Sequence, residues 1–353
     1  MKVGSMKIDQ KKAGEKILEV KHLNVYLNTY SGKLHAVRDV SFELKRKETL
    51  VVVGESGCGK TMTARALMQL LPEKISKISE NSEVLFNGKD ILRMTEKERE
   101  NDLRGEHISM IFQDPTTFLN PTMTVGEQVA EGLMIHKKLG KKEAMGKAEK
   151  LLEMVKITDP GRRLKQYPYE LSGGMRQRVI IAIALACEPE ILIADEPTTA
   201  LDVTTQADIM ELIEELQENM GTAVILVTHD LGIAAEIGDR IQVMYAGEII
   251  ETGTKKEIFK HAVHPYTWAL MRSVPSVQNP GAERLYSLQG TPPDLSLPQT
   301  GCAFASRCEF CMGICRRLHP VMTEIGNEHQ AACWLLHPSA PKLEMLHRGG
   351  KTC

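Results

Sequence analysis

The chain contains 353 residues, with 44 basic and 46 acidic side chains, and its formal net charge at pH 7 is −2. A chain of this length can bury a sizeable core and divide into more than one structural unit. Because the charges nearly balance, no global field attracts nucleic acid or anionic lipid, and we expect no nucleic-acid partner.

The N-terminal segment resembles neither a secretory signal nor a membrane anchor. Residues Met1 to Lys16 are too polar for a signal, and no stretch of the chain approaches the roughly 20 consecutive apolar residues that a membrane span needs. The sequence therefore predicts a chain that stays in the cytoplasm. Residues 1–14 are expected to form a flexible tail.

Short apolar runs recur along the chain, and each is followed by a helix-prone segment. The clearest runs are Leu50 to Val53, Ile191 to Ala194 and Ala223 to Val227. Continuous apolar runs of this length are typical of buried parallel strands, which need helices on both faces of their sheet. This pattern predicts an α/β fold whose core comprises residues 15–113 and 173–254.

Two regions of different composition interrupt and follow the predicted core. Residues 114–172 are rich in Lys, Glu, Met and Leu at helical spacing, which predicts a helical subdomain. After about Thr254 the strand rhythm stops and proline becomes frequent. Residues 255–353 are therefore predicted to form a loop-rich C-terminal extension.

The strongest local signal is a glycine-rich segment directly after the run Leu50 to Val53. This segment ends in Lys60 and Thr61. If it binds a nucleotide, the Lys60 ammonium can reach the β and γ phosphates, and the Thr61 hydroxyl can bind Mg²⁺. The glycines let backbone N–H groups converge on phosphate oxygens, and the following helix adds the positive end of its dipole. The segment matches the phosphate-loop pattern and predicts ATP contacts at Gly54, Glu55, Ser56, Gly57, Cys58, Gly59, Lys60, Thr61 and Met62.

A second candidate site follows the apolar run Ile191 to Ala194, which ends in Asp195 and Glu196. A carboxylate at the carboxyl end of a buried strand is well placed to bind Mg²⁺, and its neighbour can reach the water that attacks the γ phosphate. We therefore predict that Asp195 binds the metal and that Glu196 is the general base.

These segments, together with the sequence Leu-Ser-Gly-Gly at residues 171–174, resemble the nucleotide-binding subunits of ABC transporters. The resemblance implies a phosphate-loop (RecA-like) ATPase core with an antiparallel β subdomain. In that family the Leu-Ser-Gly-Gly signature opens a helix whose N-terminus covers the γ phosphate bound by the opposite subunit. Ser172, Gly173 and Gly174 are the matching residues, and Met175 stands where glutamine is commoner, which leaves the backbone donors in place.

Four further residues match the family's motifs in the family's order. Gln113 corresponds to the residue that senses Mg²⁺ and the attacking water while its loop touches the permease. Asp202 belongs to the loop Ala200-Leu201-Asp202, which crosses the dimer interface in the family. His229 corresponds to the switch histidine that aligns the γ phosphate with the general base. Tyr30 precedes the predicted strand Ala36 to Leu44 and is the candidate for stacking on adenine, although Tyr26 is also near.

The resemblance extends from about Ile17 to Cys333 and is strongest to the oligopeptide and dipeptide import subfamily. The motifs that carry it are Gly-Gly-Met-Arg-Gln-Arg at 173–178, Tyr-Ala-Gly at 245–247 and His-Pro-Tyr-Thr at 264–267. It implies a heterodimer with a second related ATPase, two membrane permease subunits, an external substrate-binding protein and a peripheral location on the cytoplasmic face of the plasma membrane. Nickel importers are close relatives of this subfamily, so nickel is the alternative cargo.

Cysteines crowd into the predicted extension. Five residues separate Cys302 from Cys308, six separate Cys308 from Cys315, and seventeen separate Cys315 from Cys333. In a reducing compartment such crowding favours metal over disulfides. Some members of the subfamily hold a 4Fe-4S cluster, which four thiolates normally ligate, and the resemblance implies these four. Cys311 is a fifth thiol, so a zinc site of Cys308, Cys311, Cys315 and a histidine such as His319 is an alternative, as is a set of unliganded thiols.

Two other classes of function would share the phosphate loop. Soluble ABC-type ATPases of DNA repair and ribosome regulation usually carry long coiled coils or two fused motor domains, and the sequence shows neither. A phosphoryl-transfer kinase would explain the phosphate loop alone. It would not explain the signature at Leu171 to Gly174 or the histidine at 229.

Overall fold

The computed structural model describes residues 14–30, 32–113, 118–199, 201–273, 288–326 and 328–341. The predicted N-terminal tail therefore lies outside the described residues except for Gly14. Among the helices of the described part, none is long and apolar enough to cross a bilayer.

One sheet is antiparallel and comes from the N-terminal part of the chain. Its longest strands, β1 and β2, pair along most of their length, while β4 and β5 lie on the other side of β1. Alternate residues of β1 such as Leu18 and Val20 are buried, as expected for a sheet with one covered face. The strands are β1 Lys16–Thr29, β2 Gly32–Lys45, β4 Ser76–Ile78, β5 Glu83–Phe86 and β6 Lys89–Asp90.

The second sheet has the strand order β12-β13-β11-β10-β3-β9-β8-β7. Five consecutive strands, from β10 to β7 at one edge, are parallel, and every residue of β3, β8 and β9 is buried. The predicted α/β fold with an antiparallel β subdomain is confirmed. The strands outside the extension are β3 Thr49–Val53, β7 Ile108–Ile111, β8 Ile191–Asp195, β9 Ala223–Thr228, β10 Arg240–Tyr245 and β11 Glu248–Thr254.

Helices connect the parallel strands and cover the sheet. The longest is α7, Val203–Met220, which follows the N-cap Asp202 and is capped at its end by Gly221 with φ 69°. It buries Ile209, Leu212 and Leu216. This spacing of three and four residues forms one apolar stripe, and a glycine at the end tolerates the left-handed conformation. The core helices are α1 Lys60–Leu67, α2 Glu96–Asp102, α6 Gly173–Leu185, α7 Val203–Met220 and α8 Leu231–Ile237.

The chain between β7 and α6 is helical wherever it is described with regular structure. It contains α3 Val125–Ile135, α4 Lys141–Met154 and α5 Pro160–Arg163. Thr124 and Glu127 form a capping box at the start of α3, which satisfies backbone donors that the helix leaves free. Residues 114–117, the first of the predicted helical subdomain, lie outside the described residues.

The C-terminal extension contains more regular structure than its proline content predicts. Helices α9 Lys255–His261 and α10 Pro265–Ser273 open it, and strands β12 Thr323–Gly326 and β13 His329–Ala331 follow. Strand β13 pairs antiparallel with β11 and so extends the ATPase sheet by two strands. The sequence did not predict these strands because they are short and every residue of β12 is exposed, which leaves no apolar pattern.

Candidate nucleotide site

The phosphate loop connects the buried strand β3 to helix α1. Gly59 immediately precedes α1 and has φ 106°, a conformation that glycine adopts without strain. A Cβ at this position would lie 2.5 Å from the carbonyl oxygen of Ala36, so the close packing also requires glycine. The loop therefore places the N-terminus of α1 at the carboxyl end of β3, where free amide groups can bind phosphate oxygens.

Lys60 is the first residue of α1, and its side chain turns back across the loop. The residue is 4% exposed, and its Nζ donates to the carbonyl oxygens of Gly54 at 2.7 Å and Glu55 at 3.1 Å. Cys58 is also buried, whereas Ser56 and Gly57 are exposed at the loop surface and Met62 is half-buried. An ammonium group held over backbone carbonyls in this way can transfer to phosphate oxygens without a change of fold.

Thr61 and Asp195 bring a hydroxyl and a carboxylate together behind the loop. The Thr61 hydroxyl donates to Asp195 Oδ1 at 3.0 Å, and Asp195 is 1% exposed at the end of β8. Burial raises the pKa of Asp195, and the hydrogen bond from Thr61 partly offsets this. Such a pair of oxygen ligands fits Mg²⁺, which takes one or two protein oxygens and completes its shell with phosphate and water.

Glu196 receives three polar contacts on a single oxygen. Its Oε2 lies 3.1 Å from Gln113 Nε2, 2.9 Å from Thr199 Oγ1 and 3.3 Å from His229 Nδ1. Gln113 follows β7, Glu196 follows β8 and His229 follows β9, so the carboxyl ends of adjacent parallel strands assemble this group. Among the described residues none donates to Oε1, which leaves that oxygen able to accept a proton from water.

The backbone at Glu196 is held in an unusual conformation. Its φ is 46°, and its N–H donates to the carbonyl oxygen of Val227 in the neighbouring strand at 2.9 Å. A positive φ in a residue with a Cβ costs about 1 kcal/mol or more and persists only where the surroundings impose it. Strained residues of this kind cluster at functional sites.

The signature residues begin helix α6 and lie beside the loop that carries Asp202. The Ser172 hydroxyl caps α6 by accepting from Met175 N at 3.4 Å, and a Cβ on Gly174 would lie 2.9 Å from Thr205 Cγ2. Asp202 caps α7 by accepting from the Thr205 amide at 3.0 Å, and this bond lowers the pKa of Asp202. Ala200 lies outside the described residues.

The structure groups the predicted site residues into two separate sets. No hydrogen bond of the described residues joins the signature or Asp202 to the phosphate loop of the same chain. Gly173 and Gly174 instead face Leu201 and Thr205. One chain therefore presents the phosphate loop with its carboxylates as one set and the signature with Asp202 as another.

The two tyrosines considered for adenine binding differ in their surroundings. Tyr30 is fully exposed at the turn between β1 and β2. Tyr26 stacks on His35 with ring centroids 4.2 Å apart and carries the Lys33 ammonium 4.0 Å above its ring. Tyr30 therefore has a free ring face, while the ring of Tyr26 is already used in packing.

Two contacts with the phosphate loop come from residues that sequence reasoning did not select. Arg307 in the extension forms a bidentate ion pair with the Glu55 carboxylate at 2.6 and 3.0 Å, and Tyr266 in α10 accepts a hydrogen bond from Glu55 N at 2.9 Å. Thr199 beside Glu196 was also missed. Its position three residues after Glu196, where a hydroxyl can reach back, was the available signal.

The cysteines of the extension lie near one another but do not form a compact ligand set. Burial raises the pKa of Cys333 to about 12, and the neighbouring Cys302, Cys308 and Cys315 contribute to the shift. Within the described residues, no group of three or more His, Cys, Asp or Glu side chains is placed to hold a metal ion. His319 Nε2 instead lies 2.7 Å from Glu248 Oε2. Within the described part of the chain, these side chains therefore form no ready ligand group for zinc or for a cluster.

Two family models match the chain. One, described as ABC transporter, matches residues 37–199, and one, described as the C-terminal region of oligopeptide/dipeptide transporters, matches residues 250–315. The chain is 53% identical over 321 residues to the dipeptide transport ATP-binding protein DppD of Bacillus subtilis. This alignment covers 91% of this chain and 95% of that protein. It is 50% identical over 305 residues to the oligopeptide transport ATP-binding protein OppD of Salmonella typhimurium, with coverages of 86% and 90%.

Solved structures share the fold. The dimeric ATP-binding cassette MJ0796, in a post-hydrolysis state bound to ADP and Pi, matches with a TM-score of 0.60 and 29% identity over 67% of this chain and 98% of that one. The phosphate loop, the Glu196 group and this fold define an ATP-binding subunit of an ABC transporter, which is an ATPase coupled to transport. Within that class the chain belongs to the family of oligopeptide and dipeptide transport ATP-binding proteins, with DppD and OppD.

Proposed function

We propose that this chain is the motor subunit of an ABC importer for dipeptides or oligopeptides. The observation that carries the cargo class is the match of residues 250–315 to the C-terminal region of oligopeptide/dipeptide transporters. All but the first five residues of this region, which belong to β11, lie beyond the predicted ATPase core. The similarity to peptide transport proteins over 91% and 93% of the chain supports the same assignment.

ATP is bound between two subunits in this proposal. The phosphate loop and Mg²⁺ side of one subunit would hold the phosphates, and the N-terminus of α6 with Ser172, Gly173 and Gly174 of the other would close over them. Two features support this arrangement: among the described residues the signature and Asp202 make no hydrogen bond to the phosphate loop of their own chain, and a cassette of the same fold is dimeric with ADP and Pi bound.

Hydrolysis in the closed site would depend on Glu196. Its Oε1 would accept a proton from the attacking water while Gln113, Thr199 and His229 hold Oε2, so that the carboxylate keeps one orientation. Mg²⁺, held by Thr61 and Asp195, would neutralise charge on the β and γ phosphates. Loss of the γ phosphate removes contacts across the interface, and the dimer then loosens.

The partners follow from the proposed motor role. We infer a heterodimer with a second related ATPase, bound peripherally at the cytoplasmic face of the plasma membrane to two permease subunits that receive cargo from an external substrate-binding protein. The loop of Gln113 and the helical subdomain at 114–172 would contact the permease. A change of permease state from mostly one form to mostly the other requires about 5.5 kcal/mol of differential binding, which two ATP sites can supply.

We also propose that Cys302, Cys308, Cys315 and Cys333 hold a 4Fe-4S cluster. A cluster spans more widely separated thiolates than a single ion does, so the lack of a compact ligand group counts against zinc more than against a cluster. Iron and acid-labile sulfide assays on anaerobically purified chain, with the visible spectrum, test this. Stoichiometric iron and sulfide that disappear in Cys302→Ser support it, and metal-free protein contradicts it.

Uptake assays test the importer assignment. Cells that lack this subunit would be rescued with the wild-type chain, with Glu196→Gln, or with Glu218→Gln as a control that makes the same change at an exposed acid. We expect labelled di- and oligopeptide uptake to return with the wild-type chain and the control only. Rescue of nickel uptake alone would assign the chain to the metal branch, and rescue of neither would contradict the import role.

A further inference from the structure

The extension contacts the phosphate loop through a partly buried ion pair. The Arg307 side chain is 4% exposed, and its two terminal nitrogens lie 2.6 and 3.0 Å from the Glu55 carboxylate oxygens. The same guanidinium donates to Tyr245 Oη at 3.3 Å and to the Gln289 carbonyl oxygen at 3.1 Å. Because the guanidinium is buried, bidentate to Glu55 and bonded through its other donors, Arg307 holds one orientation before any nucleotide binds.

Glu55 connects this pair to the part of the loop that meets phosphate. Its carbonyl oxygen accepts from Lys60 Nζ at 3.1 Å and from Cys58 N at 3.3 Å. Its backbone N–H donates to Tyr266 Oη at 2.9 Å, and Tyr266 is fully buried against Tyr245 and Phe304. Two residues from beyond the ATPase core thus hold Glu55, one at its side chain and one at its backbone.

The charge of Glu55 is unfavourable for the function of the loop. It is the only acidic residue in Gly54 to Thr61. Burial raises the pKa of the Cys58 thiol, the Lys60 ammonium lowers it and the Glu55 carboxylate raises it, so the charge of Glu55 acts on the loop interior. A carboxylate at this place repels phosphates unless a cation cancels its charge, and partial burial of Glu55 reduces the solvent screening of that repulsion.

We propose that Arg307 is a positioning residue for ATP binding that acts through Glu55. Its guanidinium turns the carboxylate toward the extension and cancels its charge, so that the phosphate loop presents a net positive site to the nucleotide. In exchange, Glu55 anchors the extension, because Arg307 lies directly before Cys308 in the cysteine-bearing segment.

The test compares two substitutions that break the same pair. In the purified full-length chain, Mg²⁺-dependent binding of a fluorescent ATP analogue would be titrated for Arg307→Gln, Glu55→Gln and the double variant. Arg317→Gln is the matched control, because Arg317 is an exposed arginine of the same extension. We expect both single variants to lose melting temperature, since each breaks the pair, whereas the control does not.

The nucleotide affinities separate the proposal from a purely structural role. We expect Arg307→Gln to weaken binding by about tenfold or more and Glu55→Gln to weaken it less, and we expect the double variant to bind like Glu55→Gln because no unpaired carboxylate remains. Equal losses in both single variants, or no loss in Arg307→Gln, would overturn the proposal. If Arg307→Gln does not fold, Arg307→Lys keeps the charge and should stay within about threefold of wild type. A tenfold loss there, or in Glu55→Gln, overturns it as well.

Discussion

The Thr61 hydroxyl donates to Oδ1 of Asp195 across 3.0 Å, and this bond joins the first turn of α1 to the end of β8. The two residues are far apart in the sequence, and the parallel order β3-β9-β8 brings them together. The Asp195 carboxylate is buried, and Thr61 gives it one hydrogen-bond partner. Because burial raises the pKa of Asp195, its charged form is disfavoured until a cation binds beside it.

Replacing Asp195 should therefore stabilise the nucleotide-free chain and weaken its binding of Mg²⁺ and ATP. The raised pKa means that the ionised Asp195 destabilises the nucleotide-free fold, and this cost disappears as the pH falls through the raised folded value toward the unfolded one. We expect Asp195→Asn to melt roughly 2 °C or more above wild type at pH 8 without nucleotide, and to lose this advantage near pH 4.

The measurement is a melting curve at each pH, together with Mg²⁺-dependent ATP binding. The same variant should bind Mg²⁺ and ATP more weakly, because the amide carries no charge. A gain in melting temperature that does not change with pH would contradict the ionisation argument.

Glu196→Gln should retain nucleotide binding and lose hydrolysis. A general base contributes about 100-fold or more to rate, and the amide cannot accept the proton. Single-turnover hydrolysis by the assembled transporter measures the chemical step directly. Thr199→Ala removes only one of three contacts to Oε2 and should cost about fivefold, which corresponds to about 1 kcal/mol. Glu196→Gln hydrolysing ATP at the wild-type rate would remove this residue from the mechanism.

The phosphate loop could be predicted from the sequence because its function is local. Eight consecutive residues and a following helix are sufficient to make an anion site, wherever the rest of the chain goes. The grouping of Gln113, Glu196 and His229 was implied by family resemblance, since no spacing in the sequence reveals which strand ends are adjacent. The order β7-β8-β9 supplies the physical reason.

The contacts of Glu55 could not be predicted, because they depend on long-range packing. Arg307 is 252 residues and Tyr266 is 211 residues away along the chain. Neither residue belongs to a motif whose chemistry indicates a phosphate loop. Strand β13 was missed for a similar reason, since the pairing with β11 that stabilises it comes from outside its own segment.

A half-buried ionic group near the base of the ATPase sheet should control stability at low pH. Glu190 lies 3.1 Å from His107 Nδ1 and 2.8 Å from Arg46 Nη1. The His107 contact, followed by that of Arg46, lowers the pKa of Glu190 to about 2. The stability from this depressed value is present above the ordinary glutamate pKa and is lost as the pH falls toward 2.

Glu190→Gln should therefore melt below wild type at pH 6 by an amount that corresponds to about 1–2 kcal/mol. The difference should shrink as the pH is lowered below 4. Denaturant unfolding at pH 6 and pH 3 checks this. A deficit of the same size at both values would mean that the lost contact is steric and not ionic.

Substitutions at Tyr30 and Tyr26 should have different effects, the first on ATP affinity and the second on the melting temperature. Tyr30 is fully exposed and contributes nothing visible to the packed sheet, whereas Tyr26 stacks on His35. If Tyr30 stacks on adenine, Tyr30→Ala should lose about 1–3 kcal/mol of ATP affinity, which is a range of about 5-fold to 150-fold, with an unchanged melting temperature. Tyr26→Ala should instead lower the melting temperature and leave affinity nearly unchanged.

Comparing ATP with an inorganic triphosphate in both variants shows whether the lost affinity comes from the adenine, because only the nucleotide carries a base. A loss of affinity confined to Tyr26→Ala would transfer the adenine contact to that residue.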